Sequence, residues 1–258
     1  MKKNVSILGC GWLGYELAKS LVKNGFNVKG STRTPKKINQ LESAGIQPYV
    51  IDISQNIKKN NAFFESEVII IAITSKSSNG FERLIEQIES SLIKKVIFIS
   101  STSVYPSNNK IVTEESDTLN TALFQIEERF RKNKKIDSTI IRFCGLFGED
   151  RIPSKFHQPG KPIPNPEGYV NLIHRTDCIG IIKEIIAQEV WNETFNGCCN
   201  SHPKRRNFYL NQRIKSGIKE TIFNEDDANN YKIVSGNKVI EKLNYTFIHS
   251  DLFELTTE

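Results

Sequence analysis

Long hydrophobic runs are missing from this chain. No stretch of its 258 residues approaches the roughly 18 consecutive apolar residues of a membrane-spanning helix, so no membrane role is expected. Metal-ligand spacing is missing as well: there is no Cys-x-x-Cys and no zinc-type histidine pair, and no metal is expected. Five cysteines, Cys10, Cys144, Cys178, Cys198 and Cys199, form an odd set without a disulfide framework, which points to a reducing compartment. The adjacent Cys198 and Cys199 cannot easily pair with each other and are assigned no chemistry. Internal repeats and low-complexity linkers are lacking too. Lys2 and Lys3 before the apolar run that ends Ile7-Leu8-Gly9-Cys10 imitate a secretion signal. Only about five apolar residues stand where roughly 7–15 are needed, and Glu16 and Lys19 interrupt the next stretch, so the expected location is the cytoplasm.

The composition is an ordinary globular balance, 38% apolar and 25% charged, enough for a core without staples. The length suits one large domain or a domain and a half. The net charge is +6. Its Lys and Arg residues are interleaved with acids along the chain, which fits a cationic cleft for an anionic ligand better than a nucleic-acid surface.

Apolar β-rich runs alternate with amphipathic segments. Strands are expected at Val5–Leu8, Asn27–Gly30, Gln47–Ile51, Val68–Ile73, Val96–Ser100 and Ser138–Phe143, with Trp191–Cys198 leading into another. Helices are expected at Trp12–Asn24, Lys36–Ser43, Phe81–Leu92, Leu119–Lys132, Ile179–Gln188, Asn207–Ser216 and Lys238–Leu243. The uninterrupted apolar run from Val68 fits a strand buried on both faces. The alternation predicts an α/β fold with a doubly wound parallel Rossmann sheet and a smaller C-terminal substrate lobe. The expected division is a dinucleotide-binding domain over 1–145 and a substrate-binding lobe over 146–258, with 171–198 returning to the sheet. Gly145–Gly168 carries Pro153, Pro159, Pro162, Pro164 and Pro166 and is longer than an ordinary connection, which marks it as functional.

Gly9-Cys10-Gly11-Trp12-Leu13-Gly14 comes directly after the first strand and opens a helix. In a Gly-x-Gly-x-x-Gly loop the first glycine permits the turn, the second lets backbone approach a pyrophosphate, and the third lets helix and strand pack closely. The helix N-terminus attracts the phosphates. An NAD site usually sets Asp or Glu at the end of the second strand, on the ribose hydroxyls. This chain has Ser31-Thr32-Arg33-Thr34 and then Lys36-Lys37, which suits a 2′-phosphate and favours NADP, with NAD as the alternative. A solvated turn is the plainer reading. Asp52 stands where it would meet the adenine ring, or where it would cap its own turn. The candidate cofactor-binding set is Gly9, Gly11, Trp12, Leu13, Gly14, Ser31, Thr32, Arg33, Asp52, Ile73, Thr74 and Ser100.

Four stretches, GCGWLG at 9–14, ISSTSVYP at 99–106, IIRFCGLFGEDR at 140–151 and NLIHRTDCIGII at 171–182, resemble the extended short-chain dehydrogenase/reductase superfamily, also called the NAD-dependent epimerase/dehydratase superfamily. The likeness covers nearly the whole chain. HPKRRNFY at 202–209 and KVIEKLNYTF at 238–247 make it most similar to the atypical YeeZ-like group. The resemblance implies a catalytic Tyr-x-x-x-Lys on the helix near residue 120. Anchored on Ile126-Glu127, that motif would fall on Leu119 and Leu123, and no nearby register supplies it. Ser101 matches the superfamily's catalytic serine, with Ser103 two positions later and Tyr105 after it. His174-Arg175 precede Thr176-Asp177, a helix-cap signature in a stretch the superfamily sets near substrate. Ser101, Tyr105 and His174 are the candidate catalytic residues, against the plain readings of turn hydroxyls and a structural histidine. Arg142 is expected to be buried against an acid, and the basic loop from His202 to Arg206 either closes over an anion or is solvated.

Two functions are compatible with these features. One is an NADP-dependent oxidoreductase or epimerase-like enzyme acting on a small polar molecule such as a sugar or nucleotide sugar. The other is a dinucleotide-binding sensor or regulatory protein that has lost catalysis. The expected partner is a small-molecule substrate, with no nucleic acid and no membrane, and the chain is a monomer or homodimer.

Overall fold

The seven central strands form one sheet in the order β10-β7-β5-β4-β1-β2-β3, in a computed structural model that describes residues 3–55, 57, 61–158, 160–218 and 220–254. In chain order the elements are β1 (Asn4–Leu8), α1 (Trp12–Lys23), β2 (Asn27–Thr32), α2 (Ile38–Ser43), β3 (Gln47–Val50), β4 (Val68–Ile71), α3 (Ser78–Glu89), β5 (Lys95–Ser101), β6 (Lys110–Val112), α4 (Ala122–Arg131), β7 (Asp137–Phe143), β8 (Gly145–Phe147), β9 (Leu172–His174), α5 (Arg175–Ala187), β10 (Thr194–Gly197), α6 (Arg205–Lys215), β11 (Lys232–Val234) and α7 (Asn237–Leu243). β1 pairs in parallel with β2 and β4, β2 with β3, and β4 with β5. Strand order reverses between β1 and β4, the switch point at which open α/β sheets bind ligands. The doubly wound α/β architecture expected from the alternation is therefore the one observed.

The chain divides into two units. One comprises residues 1–100, 120–141 and 182–194, and the other 101–119, 142–181 and 195–258. The division crosses the chain repeatedly rather than once near residue 145. In the first unit all four residues of β4 are buried, as a strand covered on both faces requires. α1 buries Leu13, Gly14, Leu17, Ala18 and Leu21, the stripe of a one-sided helix. Phe81 of α3, Phe98 of β5 and Phe130 of α4 meet with ring centroids 5.2–6.2 Å apart. In the second unit β6 pairs with β11 and β8 with β9, both in parallel.

Several boundaries differ from the periodicity. α3 starts at Ser78 because Ser77 caps it, its hydroxyl accepting from the Gly80 N–H at 3.2 Å. α4 starts only at Ala122, where Thr121 caps it by accepting from the Phe124 N–H at 3.1 Å. Leu119 stays outside that helix, its N–H donating to the Val104 carbonyl at 2.7 Å. The segment from Lys36 begins as a 3-10 turn, Pro35–Lys37, before α2. Strands β6, β8, β9 and β11 were not expected. Each has three residues, too few to show a period of two. The proline-rich segment contains β8 and a 3-10 turn at Pro153–Lys155, and its Pro159 lies outside the described residues.

Candidate functional site

Three glycines shape the loop between β1 and α1, each for a different reason. Gly9 has φ +101°, and a Cβ there would lie 2.7 Å from the Ala72 carbonyl and 2.6 Å from Ile73 Cγ2. At Gly14 a Cβ would lie 2.1 Å from the Gly9 carbonyl oxygen, so only a bare backbone lets α1 pack on the loop. Gly11 is the N-cap of α1 with φ −86°, and a Cβ there would meet no protein atom within 4 Å. Its lack of a side chain relieves no contact inside the protein; it leaves open the space in front of the helix. No side chain caps that N-terminus and no acid occupies its first turn. Exposed backbone donors, a positive dipole end and room for close approach are what a pyrophosphate needs. Trp12 is half-buried, Leu13 is buried in the core, Ile73 is partly buried against it, and Thr74 is exposed.

At the end of β2 the expected residues separate. Ser31 is 1% exposed. Its hydroxyl accepts from the Gly9 N–H at 2.9 Å, and its carbonyl accepts from the Cys10 N–H at 2.8 Å. It is a strut under the glycine loop rather than an exposed phosphate ligand, because its side chain points into the packed strand. Thr32 is also buried, and its hydroxyl donates to the Thr34 carbonyl at 3.2 Å. Arg33 is exposed. Asp52 accepts from both the Ser54 N–H, at 2.9 Å, and the Ser54 hydroxyl, at 2.8 Å. These donors, with a contribution from Arg33, hold its carboxyl below the usual range. The turn-cap reading of Asp52 is the one its geometry carries. Ser100 is buried and donates to Glu127 Oε1 at 2.5 Å. Glu127 is itself fully buried and has Arg131 at 3.5 Å. Its place on α4, one residue after a core isoleucine, gave no sign of this partnership.

The candidate catalytic residues belong to the second unit. Ser101 accepts from the Ser103 N–H at 3.1 Å and caps the 3-10 turn Thr102–Val104. Tyr105 is 1% exposed. Its hydroxyl accepts from Arg142 Nη1 at 2.7 Å and donates to Asn196 Oδ1 at 2.8 Å. Burial pushes its pKa up, against the pull of Arg142. The Asn196 N–H donates to Glu114 at 2.7 Å, and burial raises the pKa of that carboxyl. Sequence reasoning missed Asn196 and Glu114. It expected an acid on Arg142, which donates to the Tyr105 hydroxyl and feels the Glu114 charge.

His174 ends β9 and is half-buried. Its ring lies 3.8 Å from that of His249 and 5.1 Å from that of Phe147. A Cβ on Gly148 would lie 2.7 Å from Nε2, so backbone covers that edge of the ring. Nδ1 accepts from the Thr176 N–H at 3.2 Å, which leaves the neutral ring's proton on Nε2. Burial, helped by His249, lowers its pKa to about 4, and the ring is neutral at pH 7. Asp177 was expected as a helix cap. Its carboxylate instead accepts from the Tyr245 hydroxyl at 2.9 Å and from the Ile248 and His249 N–H groups at 2.7 and 3.1 Å. Among the described residues no hydrogen bond joins Ser101, Tyr105 and His174 to one another.

The cysteines bring a correction. Cys144 and Cys198 form a disulfide, with Cα atoms 5.4 Å apart. The ends of β7 and β10 bring them together although 54 positions separate them, which spacing could not reveal. Cys10, Cys178 and Cys199 are buried free thiols, and burial pushes Cys10 to about 12 and Cys199 to about 11.

The model of a family described as NAD(P)H-binding matches residues 9–184. The chain is similar to Protein YeeZ of Escherichia coli K12, 28% identical over 267 residues that cover 96% of this chain and 97% of that one. It also resembles the structure of a putative NAD-dependent epimerase/dehydratase from Methylobacillus flagellatus, with TM-score 0.78, 20% identity, and 97% and 95% of the two chains covered. The structure of UDP-glucuronic acid 4-epimerase from Bacillus cereus in complex with NAD gives TM-score 0.76 and 18% identity, with 98% and 97% covered. Among the described residues no helix is long and apolar enough to cross a membrane. The chain belongs to the NAD(P)H-binding family and has the fold of the epimerase/dehydratase branch of the short-chain dehydrogenases/reductases.

Proposed function

We propose, from this family membership, that the chain is an NADP-dependent, oxidoreductase- or epimerase-like protein of the cytoplasm that acts on a small polar substrate of the sugar or nucleotide-sugar class. The observation that carries the cofactor choice is the end of β2. Arg33 is exposed there, Lys36 and Lys37 come soon after it, and no acid stands among them. The open face at Gly11 receives the pyrophosphate on the N-terminus of α1. A bound nicotinamide would supply or accept hydride. The substrate class rests on the nucleotide sugar for which the Bacillus cereus neighbour is named and on the polar residues of the second unit.

Leu119 and Leu123 stand where the superfamily's tyrosine and lysine would be. Leu119 is 45% exposed, and Leu123 packs on the core cluster that includes Phe81, Phe98 and Phe130. Neither moves a proton. Ser101 keeps its O–H available while its oxygen holds the turn, and it orients a substrate hydroxyl. A serine without a base exchanges protons slowly, so turnover is slow. The sensor reading is favoured by one specific observation: Tyr105 and His174, the groups with more suitable chemistry, are locked in their own contacts. Addition of sugar nucleotides that carry a keto group, or of small carbonyl compounds, whose carbonyl carbon accepts the hydride, to the NADPH-loaded protein separates the two readings. Slow oxidation that falls in Ser101→Ala supports the enzyme, and none supports the sensor.

Calorimetry tests the cofactor. NADPH binds more tightly than NADH, and Arg33→Ala weakens NADPH alone by roughly 1.5–3 kcal/mol, the worth of a charge-assisted contact. Equal affinities for the two dinucleotides would sink the assignment. The Cys144–Cys198 disulfide bears on location, since such bonds are uncommon in reducing compartments. Differential alkylation of protein quenched in acid counts the free thiols, and a reduced pair supports the cytoplasm.

A further inference from the structure

α6 carries Arg205, Tyr209 and Arg213 at four-residue spacing, which stacks them along one face. His157, just beyond the turn Pro153–Lys155, packs against that face. Its ring lies edge-on to Tyr209 with centroids 4.7 Å apart. Its Nε2 is 3.4 Å from Arg205 Nη2, and its carbonyl accepts from Arg213 Nη2 at 3.1 Å. Arg205 also lies over the Tyr209 ring, 5.2 Å from its centroid, and its Nε donates to the Pro164 carbonyl at 3.0 Å.

The charges here are not balanced by the protein. Arg213 is 1% exposed. Its Nη1 donates to the Glu220 carbonyl at 3.1 Å, and its Nε has no hydrogen-bond partner. Among the described residues neither Arg213 nor Arg205 forms an ion pair with a carboxylate. Their neighbours differ. Lys204 pairs with Glu167 at 2.8 Å, and Arg206 pairs with Glu167 at 3.0 Å and Glu225 at 2.6 Å. The chain supplies acids to exposed cations, where they matter little, and none to the buried one, where an uncompensated charge is costly. Burial, helped by the two guanidiniums, holds His157 below the ordinary histidine range.

We propose that this face of α6 is an oxyanion-binding subsite, in which the half-buried Arg205 and His157 receive the phosphoryl group of the small substrate and the uncompensated charge of the buried Arg213 adds to the positive field behind them. Because His157 Nε2 accepts from the Arg205 guanidinium, the ring's proton sits on Nδ1, and that N–H and the arginine fork offer donors from two directions, which suits a tetrahedral oxyanion. A planar carboxylate is satisfied by one arginine fork. The subsite deepens the substrate reading under Proposed function and rests on it only for the substrate being a small molecule.

The test titrates inorganic phosphate into the full chain carrying Gly11→Val, which removes phosphate binding at the glycine loop, at constant ionic strength. Saturable binding is expected, weakened at least about tenfold by adding Arg205→Ala, with acetate binding at least about tenfold more weakly than phosphate. Arg205 is only half-buried, so that variant keeps its fold, and an unchanged melting temperature checks this. His157→Gln serves as a second variant and weakens phosphate in the same direction. No saturation in the parent, or an affinity indifferent to Arg205→Ala, overturns the subsite, and acetate binding as tightly as phosphate overturns its ligand class. Failure of the cofactor reading appears elsewhere, as NADPH affinity that does not differ between wild type and Gly11→Val.

Discussion

The glycine loop of the first unit and the tyrosine cluster of the second solve opposite problems. The loop is built from backbone: Gly11 leaves a space that no protein atom fills, and Ser31 holds the strand end in place from beneath. The cluster is built from side chains that meet most of one another's needs, leaving the buried Asn196 Nδ2 over. Tyr105, Arg142 and Asn196 are all buried, and the tyrosine hydroxyl both accepts and donates. A site whose donors are left open is ready for a ligand. A site whose donors are spent inside the protein chiefly holds its own elements in register, and its residues act on a ligand only if those bonds break. That difference separates the glycine loop, whose donors are open, from Tyr105 and His174, which are held in their own contacts.

The comparison can be broken most forcefully at Gly14. A Cβ there would sit 2.1 Å from a backbone oxygen, so Gly14→Ala is expected to destabilise the chain by about 3 kcal/mol, read as a lower melting temperature. Gly11→Val is its counterpart. It leaves melting within about 1 kcal/mol of wild type, since an N-cap glycine has little side-chain capping to lose, and abolishes dinucleotide binding. Two variants with the same phenotype would show that the glycines do not divide their work.

Next in size is Tyr105→Phe. It leaves Arg142 and Asn196 each short of a buried partner, costing about 1–3 kcal/mol and lowering the melting temperature by several degrees, about 2–4 °C per kcal/mol for a chain of this size. An unchanged melting temperature with lost turnover would instead make Tyr105 catalytic.

The smallest effect concerns His174. Its folded pKa of about 4 lies below the ordinary 6.5, so the unfolded chain binds a proton first. Stability that is fully present above about pH 6.5 is lost as pH falls towards 4. The half-exposed ring is partly screened by water, and its share of the loss is about 1–2 kcal/mol. Chemical denaturation at pH 7 and pH 4.5 checks this. His174→Gln should flatten the difference, and an identical pH dependence in that variant would remove His174 as its source.

The sequence by itself determined the parallel Rossmann sheet and the glycine loop. Both rest on local signals: an apolar run at Val68–Ile71, a helical stripe from Leu13 to Leu21, and three glycines at fixed spacing after a strand. Such signals survive because neighbours in sequence are neighbours in these elements. The place of Arg33, exposed just past the end of β2, was legible for the same reason, while its pairing with a 2′-phosphate belongs to the proposal. Only the tertiary structure decided what the polar residues do. Ser31 is buried against the pattern of Asn27 and Lys29 on its own face because the glycine loop, whose Gly9 N–H donates to its hydroxyl, lies against the end of β2. Asp52 spent Oδ1 on Ser54 two residues on. Tyr105 found Asn196 across 91 positions, Asp177 found Tyr245 across 68, and Cys144 found Cys198 across 54. A hydrogen bond or disulfide acts over a few ångströms of space, and spacing along the chain says nothing about which distant residue will be brought within that reach.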